Sequence, residues 1–231
     1  MVYAATIDDT RYTFQASGSL WQDALVMLDD QTGSLWSQVI GEAIAGPMEG
    51  TTLQLFPSQH MTFGEFARAY PQGRVLTKPN RGPEGSTYDR YFASPDRLGI
   101  FGRQDTFDRL PAKETIYGLR FDNNRPVAIS EGALRQRGLI VLADTEPPVA
   151  VTLDTAQGGV AAFELPPVAT QELVRVGDTL RVSDGNVAWH AVTGIAVSAD
   201  TKRLSPRPIL TAFWFAWVSF FSDTRLIAET P

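Results

Sequence analysis

The sequence predicts a mainly β protein, α+β by count of elements: two pseudo-repeated lobes, each a twisted antiparallel sheet or partial barrel carrying one aromatic-rich packing helix. Three observations predict it. Short runs of β-branched and aromatic residues alternate with polar ones and are bounded by Gly, Asp or Pro, the pattern of strands with one buried face. Two stretches set aromatic residues at helical spacing, Phe63, Phe66 and Tyr70 in one and Trp214, Trp217 and Phe221 in the other. Finally, the last third of the chain repeats the first third in degenerate form. Trp36 and Gly41 recur as Trp189 and Gly194 at an offset of 153 (189 − 36), and the two aromatic stretches correspond at an offset of 151 (214 − 63). A shared order of elements with a two-residue slip is what duplication and drift leave.

Taken in order, strands are expected at 3–7, 11–16, 24–28, 34–40 and 51–56, with hairpin connections at 8–10 and 29–33 rich in Asp and Gly. Thr62-Phe63-Gly64-Glu65 is a capping box, so a helix starts there and Pro71 ends it. Each repeat then closes on a strand-like end, 73–76 and 224–227. Residues 78–111 are rich in Pro and Gly and form the natural connector between a first lobe, 1–77, and a second, 112–231. The connector also holds Tyr88, Tyr91, Phe92 and Phe101, which predicts that it packs against the lobes instead of swinging free. The second lobe should open with a hairpin, 115–121 and 126–129, followed by a short helix near 130–137 and strands at 139–143, 149–153, 160–164, 179–182 and 192–197. The apolar run 209–221 reads as a buried helix, well short of the ~20 residues that cross a bilayer. Nothing in the first lobe matches 115–159, so the chain reads as one and a half repeat units with the missing half at its N-terminus.

Composition excludes several classes. With 43% hydrophobic and 20% charged residues among 231, the chain is globular and not disordered. A net charge of −6, with its basic pairs interleaved among acids, gives no footprint for a phosphate backbone, and no nucleic-acid partner is expected. The absence of cysteine excludes disulfides, thiolate metal sites and a cysteine nucleophile. The N-terminus lacks the basic and apolar regions of a signal peptide.

The segment from Ser17-Gly18 through Leu25-Val26-Met27-Leu28-Asp29, Thr32-Gly33-Ser34-Leu35-Trp36-Ser37-Gln38 and Gly41-Glu42-Ala43-Ile44-Ala45-Gly46-Pro47 resembles domain-of-unknown-function family 3179. Residues 88–101, Arg109-Leu110-Pro111-Ala112-Lys113-Glu114 and Phe213-Trp214-Phe215-Ala216-Trp217 support the resemblance, which covers nearly the whole chain. It implies no particular activity. It does imply a further N-terminal half-unit with a Cys-Pro motif shortly before the position of Tyr3, and an exported or lipid-anchored, extracytoplasmic setting. The sequence departs from each, which suggests a shortened homologue or a sheet edge covered by a partner.

No motif singles out a catalytic centre. His60 and His190 are the only histidines and occupy non-equivalent positions in the two repeats; carboxylates would have to complete any metal site, so structural roles are expected and no metal or cofactor is assigned. No Gly-x-Ser-x-Gly elbow privileges a serine. Gln38 and Glu42 interrupt apolar stretches and, if buried, need a partner or a ligand. Trp36, Trp189, Trp214 and Trp217 are positioned either to line a pocket for a sugar ring or apolar ligand or, as helical spacing favours, to fill the core. The expected function is a non-catalytic module binding a small molecule or a protein. The alternative is a hydrolase-like enzyme with a site between the lobes, Glu42 acting as acid or base beside His60 or His190. A third reading is a structural subunit with exposed apolar surface near Tyr3 and Tyr12, hence a homodimer.

Overall fold

Tight hairpins organise the first third of the chain, and the computed structural model describes residues 1–77, 89–95, 97–99, 107–122, 125–154, 159–169, 172–183, 187–198 and 201–229. β1 (Val2–Tyr3) is followed by the ribbon of β2 (Thr6–Ile7) and β3 (Thr10–Arg11), whose connection is made by Asp8 and Asp9 at φ 44° and 61°. β4 (Phe14–Trp21) turns into β5 (Ala24–Asp29) through Gln22 and Asp23 at φ 51° and 61°. Two successive residues at positive φ give the turn whose twist matches flanking strands, and Asp and Asn tolerate it best after Gly. β6 (Leu35–Ser37) and β7 (Glu42–Ala45) complete an antiparallel meander, β4-β5-β6-β7, while β8 (Leu55–Phe56) pairs back with β1.

α1 (Phe63–Ala69) starts where the capping box predicts, Thr62 Oγ1 accepting from the Glu65 amide at 3.2 Å. After α2 (Asp89–Ala93) come β9 (Thr115–Leu119), β10 (Val127–Ser130), α3 (Glu131–Arg137), β11 (Leu139–Leu142), β12 (Val149–Leu153), β13 (Val160–Glu164), β14 (Leu173–Val176), β15 (Thr179–Val182), β16 (Ala188–His190), β17 (Ser205–Pro206), β18 (Leu210–Phe213), α4 (Trp214–Phe220) and β19 (Arg225–Ile227). They form sheets ordered β18-β9-β10-β19, β11-β12-β13-β17 and β14-β15-β16, antiparallel except for β10 against β19. The fold is therefore mainly β, with four α-helices and no closed barrel among the described residues. No helix there is long and apolar enough to cross a membrane.

The β9-β10 pair is buried on both faces. Tyr117, Leu119, Val127 and Ile129 pack with α3 and the β12-β13 pair, and Ile116 and Ala128 pack beneath Trp214 and Trp217 of α4. Burial on both faces explains why these strands read as continuous apolar runs.

The two tryptophan hairpins share their geometry in detail. Trp36 pairs with Met27 and Ala43, and Trp189 pairs with Leu180 and Ala196. Gly41 and Gly194 lie at φ 70° and 65°; each amide donates to the carbonyl of the residue four before it, and each carbonyl accepts from Leu53 or Leu204 at 2.7 and 2.9 Å. The helices end alike, Tyr70 at φ −132°, ψ 68° and Phe221 at φ −131°, ψ 67°. Their surroundings differ: Phe63 is 70% exposed, whereas Trp214 is 2% exposed.

The structure corrects seven of the expected elements. The strands expected at 3–7 and 11–16 are each broken in two, Val2–Tyr3 apart from Thr6–Ile7 and Thr10–Arg11 apart from Phe14–Trp21, because the chain passes from one sheet to another within each run. Residues 73–76 form no strand and are exposed; 225–227 does so because β10 lies alongside to pair with it, and among the described residues no strand lies beside 73–76. Residues 192–197 are a turn and bridge, since the positive φ of Gly194 reverses the chain, and the strand is β16 just before them. The run 209–221 is a strand followed by a helix, because β9 pairs with 210–213 before α4 begins. Expected strands 34–40 and 51–56 shorten to β6 and β8 around the Gly41 turn. In the connector, Tyr88 and Phe101 lie outside the described residues; Tyr91 and Phe92 belong to α2, fastened by the Lys113 ammonium 3.7 Å from the Tyr91 ring centroid and donating to the Tyr91 and Ser94 carbonyls. Contact between the early and late parts of the chain runs partly through aromatic residues, Trp21 edge-on to Phe220 at 5.4 Å, and partly through α1.

α1 turns a carboxylate inward. Glu65 is buried beside Gly159, bonded to Asp154 and paired with Arg68 at 2.7 Å. Burial first, then the charge of Asp154, push its carboxyl above the usual 4.5, with Arg68 opposing. The native state thus holds this proton more tightly than the unfolded chain does. The associated stability is complete below 4.5 and is lost as pH rises through the raised native value. Glu65→Gln should gain on the parent protein in urea midpoint as pH rises above 4.5. A difference that stays constant across that range would show that Glu65 does not titrate as its surroundings require.

Candidate functional site

The four tryptophans expected either to line a pocket or to pack are core. Trp36 is wholly buried and its Nε1 donates to Asp29 Oδ2 at 2.8 Å; Trp189 donates to the Lys202 carbonyl at 2.8 Å and Trp217 to Thr224 Oγ1 at 2.7 Å. Trp214 lies under the Arg109 guanidinium, 5.0 Å from its ring centroid. Gln38 is half-buried just past β6, and its carbonyl accepts from Tyr3 Oη at 2.8 Å. Glu42 opens β7 opposite Ser37 and bridges Thr52. His190 closes the Gly194 turn, its Nδ1 accepting from the amides of Val192 and Thr193 at 3.2 and 3.3 Å. His60 is exposed, with its carbonyl accepting from the Val160 amide at 3.0 Å. Of five cavities on the described surface, one is lined by His60 and one by Trp189, and none by two of these eight residues. Among the described residues no three His, Asp or Glu side chains gather as metal ligands would.

The cavity at His60 has a volume of about 500 Å³. Its floor follows from strand register. Thr211 lies opposite Tyr117 and Phe213 opposite Thr115, so four side chains emerge on one face of the β18-β9 pair. One wall is Glu131 at the start of α3, another is Phe92 of α2, and His60 closes a side, held there by its bridge to β13. The Phe92 ring meets Phe213 edge-on at 5.9 Å, yet the residue is 62% exposed.

Tyr117 sets the character of the site. The residue is only 4% exposed, its ring anchored in the core with Ile129 and Leu134, and it lines the cavity with a hydroxyl that makes no hydrogen bond to any described residue. Burial, followed by the charge of Glu131 and against the pull of Arg135, raises its pKa to about 12, so it stays protonated and able to donate. Both Arg135 nitrogens bond Glu131 Oε1, which leaves Oε2 as an acceptor. In sequence Tyr117 is one more apolar residue of a strand; its hydroxyl acquires meaning only from the β9-β18 register.

A second cavity, about 410 Å³, separates Tyr3 and Ile40 from Arg120 and Arg207. Its guanidiniums already serve the fold: Arg120 donates to the Ile40 carbonyl at 2.9 Å, and Arg207 to Glu164 at 3.0 Å and the Arg120 carbonyl at 3.1 Å.

A mainly β, cysteine-free chain with a tryptophan-filled core and a cavity of aromatic and hydroxyl side chains beside β9 is the class that fold and site define. Within it, the chain belongs to the family described as protein of unknown function (DUF3179), whose model matches residues 1–224. No curated protein and no solved structure matches it.

Proposed function

We propose that this protein is a non-catalytic ligand-binding module on a duplicated two-lobe frame, and that the cavity bounded by β9, β18, His60 and α2 is its site. One observation carries the reading: the Tyr117 ring is fixed in the core, the residue lines the cavity, and its hydroxyl has no hydrogen-bond partner among the described residues. A ligand acceptor would meet a donor whose position is already set by the core, so little freedom is lost in forming the bond. The matched turns at Gly41 and Gly194 and the matched helix ends support the duplicated frame. The hydrolase reading has no comparable support, since Glu42 does not line the cavity that holds His60.

The test is Tyr117→Phe. Deleting an unpartnered hydroxyl should leave the urea midpoint of the free protein unchanged or slightly raised, within about 0.5 kcal/mol. In protein-observed NMR, fragments such as phenol, imidazole and cyclohexanol should shift the amides of Thr115, Tyr117 and Thr211 in the parent, and shift them less in the variant. A loss of stability above about 1.5 kcal/mol would mean that the hydroxyl had a structural partner, and the reading would fall.

A further inference from the structure

The composition of the cavity says more than that something binds. Its hydrogen-bonding groups are mixed in kind. Tyr117 supplies a fixed donor, Thr115 and Thr211 supply hydroxyls that donate or accept, and Glu131 Oε2 accepts. The Glu131 carboxylate is already paired with Arg135 one helical turn along, and among the described residues no lysine or arginine lines the cavity, whose remaining polar side chains are Thr115, Tyr117, Thr211 and His60. Its apolar surface is aromatic and partly open, formed by the exposed Phe92 ring set edge-on to Phe213.

These features select a ligand. An apolar ring would leave the Tyr117 hydroxyl unpaired, and an anion would meet the Glu131 carboxylate. A neutral ring bearing several hydroxyls satisfies each demand, for every hydroxyl both donates and accepts and the C–H face of the ring packs on an aromatic side chain. Directly opposed and alternate residues of an antiparallel pair share a face, so Thr115, Tyr117 and Thr211 belong to the same side of the β18-β9 pair and line the same cavity. Because the Tyr117 ring is locked in the core and α2 is fastened by Lys113, little side-chain freedom is lost on binding.

We infer that the cavity over β9 and β18 is a saccharide subsite, taking a neutral sugar ring with Tyr117 as donor, Glu131 as acceptor and Phe92 as stacking face. The inference rests on the ligand-binding reading above. It is tested by saturation-transfer difference NMR and calorimetry of the full chain with methyl β-glucopyranoside and a neutral disaccharide, alongside cyclohexanol and benzoate as rings without a polyol. Sugar binding should appear and should weaken about tenfold in Tyr117→Phe and in Phe92→Ala, with amide spectra of both variants showing an intact fold. If cyclohexanol or benzoate binds in a Tyr117-dependent way and neither sugar does, the saccharide assignment is overturned while the binding site stands. If no probe shows Tyr117 dependence, both fall together.

Discussion

Asp29→Ala should lower the stability of this protein by about 3–5 kcal/mol, a large part of what a domain possesses. Asp29 is completely buried, and its two oxygens accept from Trp36 Nε1 at 2.8 Å, from the Thr32 amide at 2.5 Å, from Thr32 Oγ1 at 2.8 Å and from the Ser34 amide at 3.2 Å. Alanine would orphan the buried indole N–H and the Thr32 amide together, and leave the Ser34 amide only its 3.3 Å bond to Thr32 Oγ1. Asp29→Asn keeps the shape but points an NH₂ group at donors, and should cost about 2–3 kcal/mol. The two variants also separate charge from packing. Burial alone would raise the Asp29 carboxyl, but the bonds from Trp36, Thr32 and Ser34 outweigh it, and the net displacement is below the usual 3.8. Its contribution is therefore present above 3.8 and is lost as pH falls through the lower native value, so the asparagine variant should lack that acid limb of the stability curve. Urea titrations followed by tryptophan fluorescence would measure both effects. A loss under about 1 kcal/mol in the alanine variant would show that water or a rearranged turn replaces the carboxylate.

Asp29 also marks where sequence reasoning stopped short. The turn at 29–33 was legible from its Asp, Thr and Gly, because these residues bond their own backbone. That the same carboxylate caps Trp36 was not, since the bond depends on β5 and β6 being neighbours with Met27 opposite Trp36. Local signals with local causes were readable throughout: the Thr62 cap, the Asp8-Asp9 turn, the β9-β10 hairpin and the short helix beginning after Ser130. Elements that exist only by pairing were not. β14 and β18 are strands because β15 and β9 lie beside them, and 73–76, which resembles 224–227 in sequence, is no strand and has no neighbouring strand among the described residues. The candidate site was hidden for the same reason. Of its lining residues only His60 stood out as chemistry; Tyr117 was one apolar letter in a strand, Phe92 one aromatic residue in a connector, and Glu131 the first residue of a short helix. Sequence alone could weigh the tryptophans only as core or pocket; all four are buried, with the indole N–H groups of Trp36, Trp189 and Trp217 hydrogen-bonded inside the protein.

The matched glycine turns allow the same substitution to be made in two settings. Gly41→Ala and Gly194→Ala both put a side chain at positive φ, which costs about 1–2 kcal/mol wherever it occurs. Both also drive a new methyl into an aromatic ring: a Cβ on Gly41 would lie 2.5 Å from the Tyr3 ring and one on Gly194 2.7 Å from the Phe163 ring. The backbone geometry is alike, so the difference in cost measures how far each ring can move. Tyr3 sits half-buried in a two-residue strand and has room to shift, although its hydroxyl would then lose the Gln38 carbonyl. Phe163 is 1% exposed, inside β13 and among Leu180, Trp189 and Leu204, where overpacking cannot be relieved without displacing a close-packed core. Gly194→Ala should therefore cost about 3–4 kcal/mol and Gly41→Ala about 1.5–2 kcal/mol, as read from urea midpoints at constant slope. Pairing Gly194→Ala with Phe163→Leu should restore part of the loss, since the smaller side chain vacates the space the methyl needs. Equal costs at the two glycines, with no rescue, would mean that the backbone term alone governs both turns and that the Phe163 ring yields as readily as Tyr3.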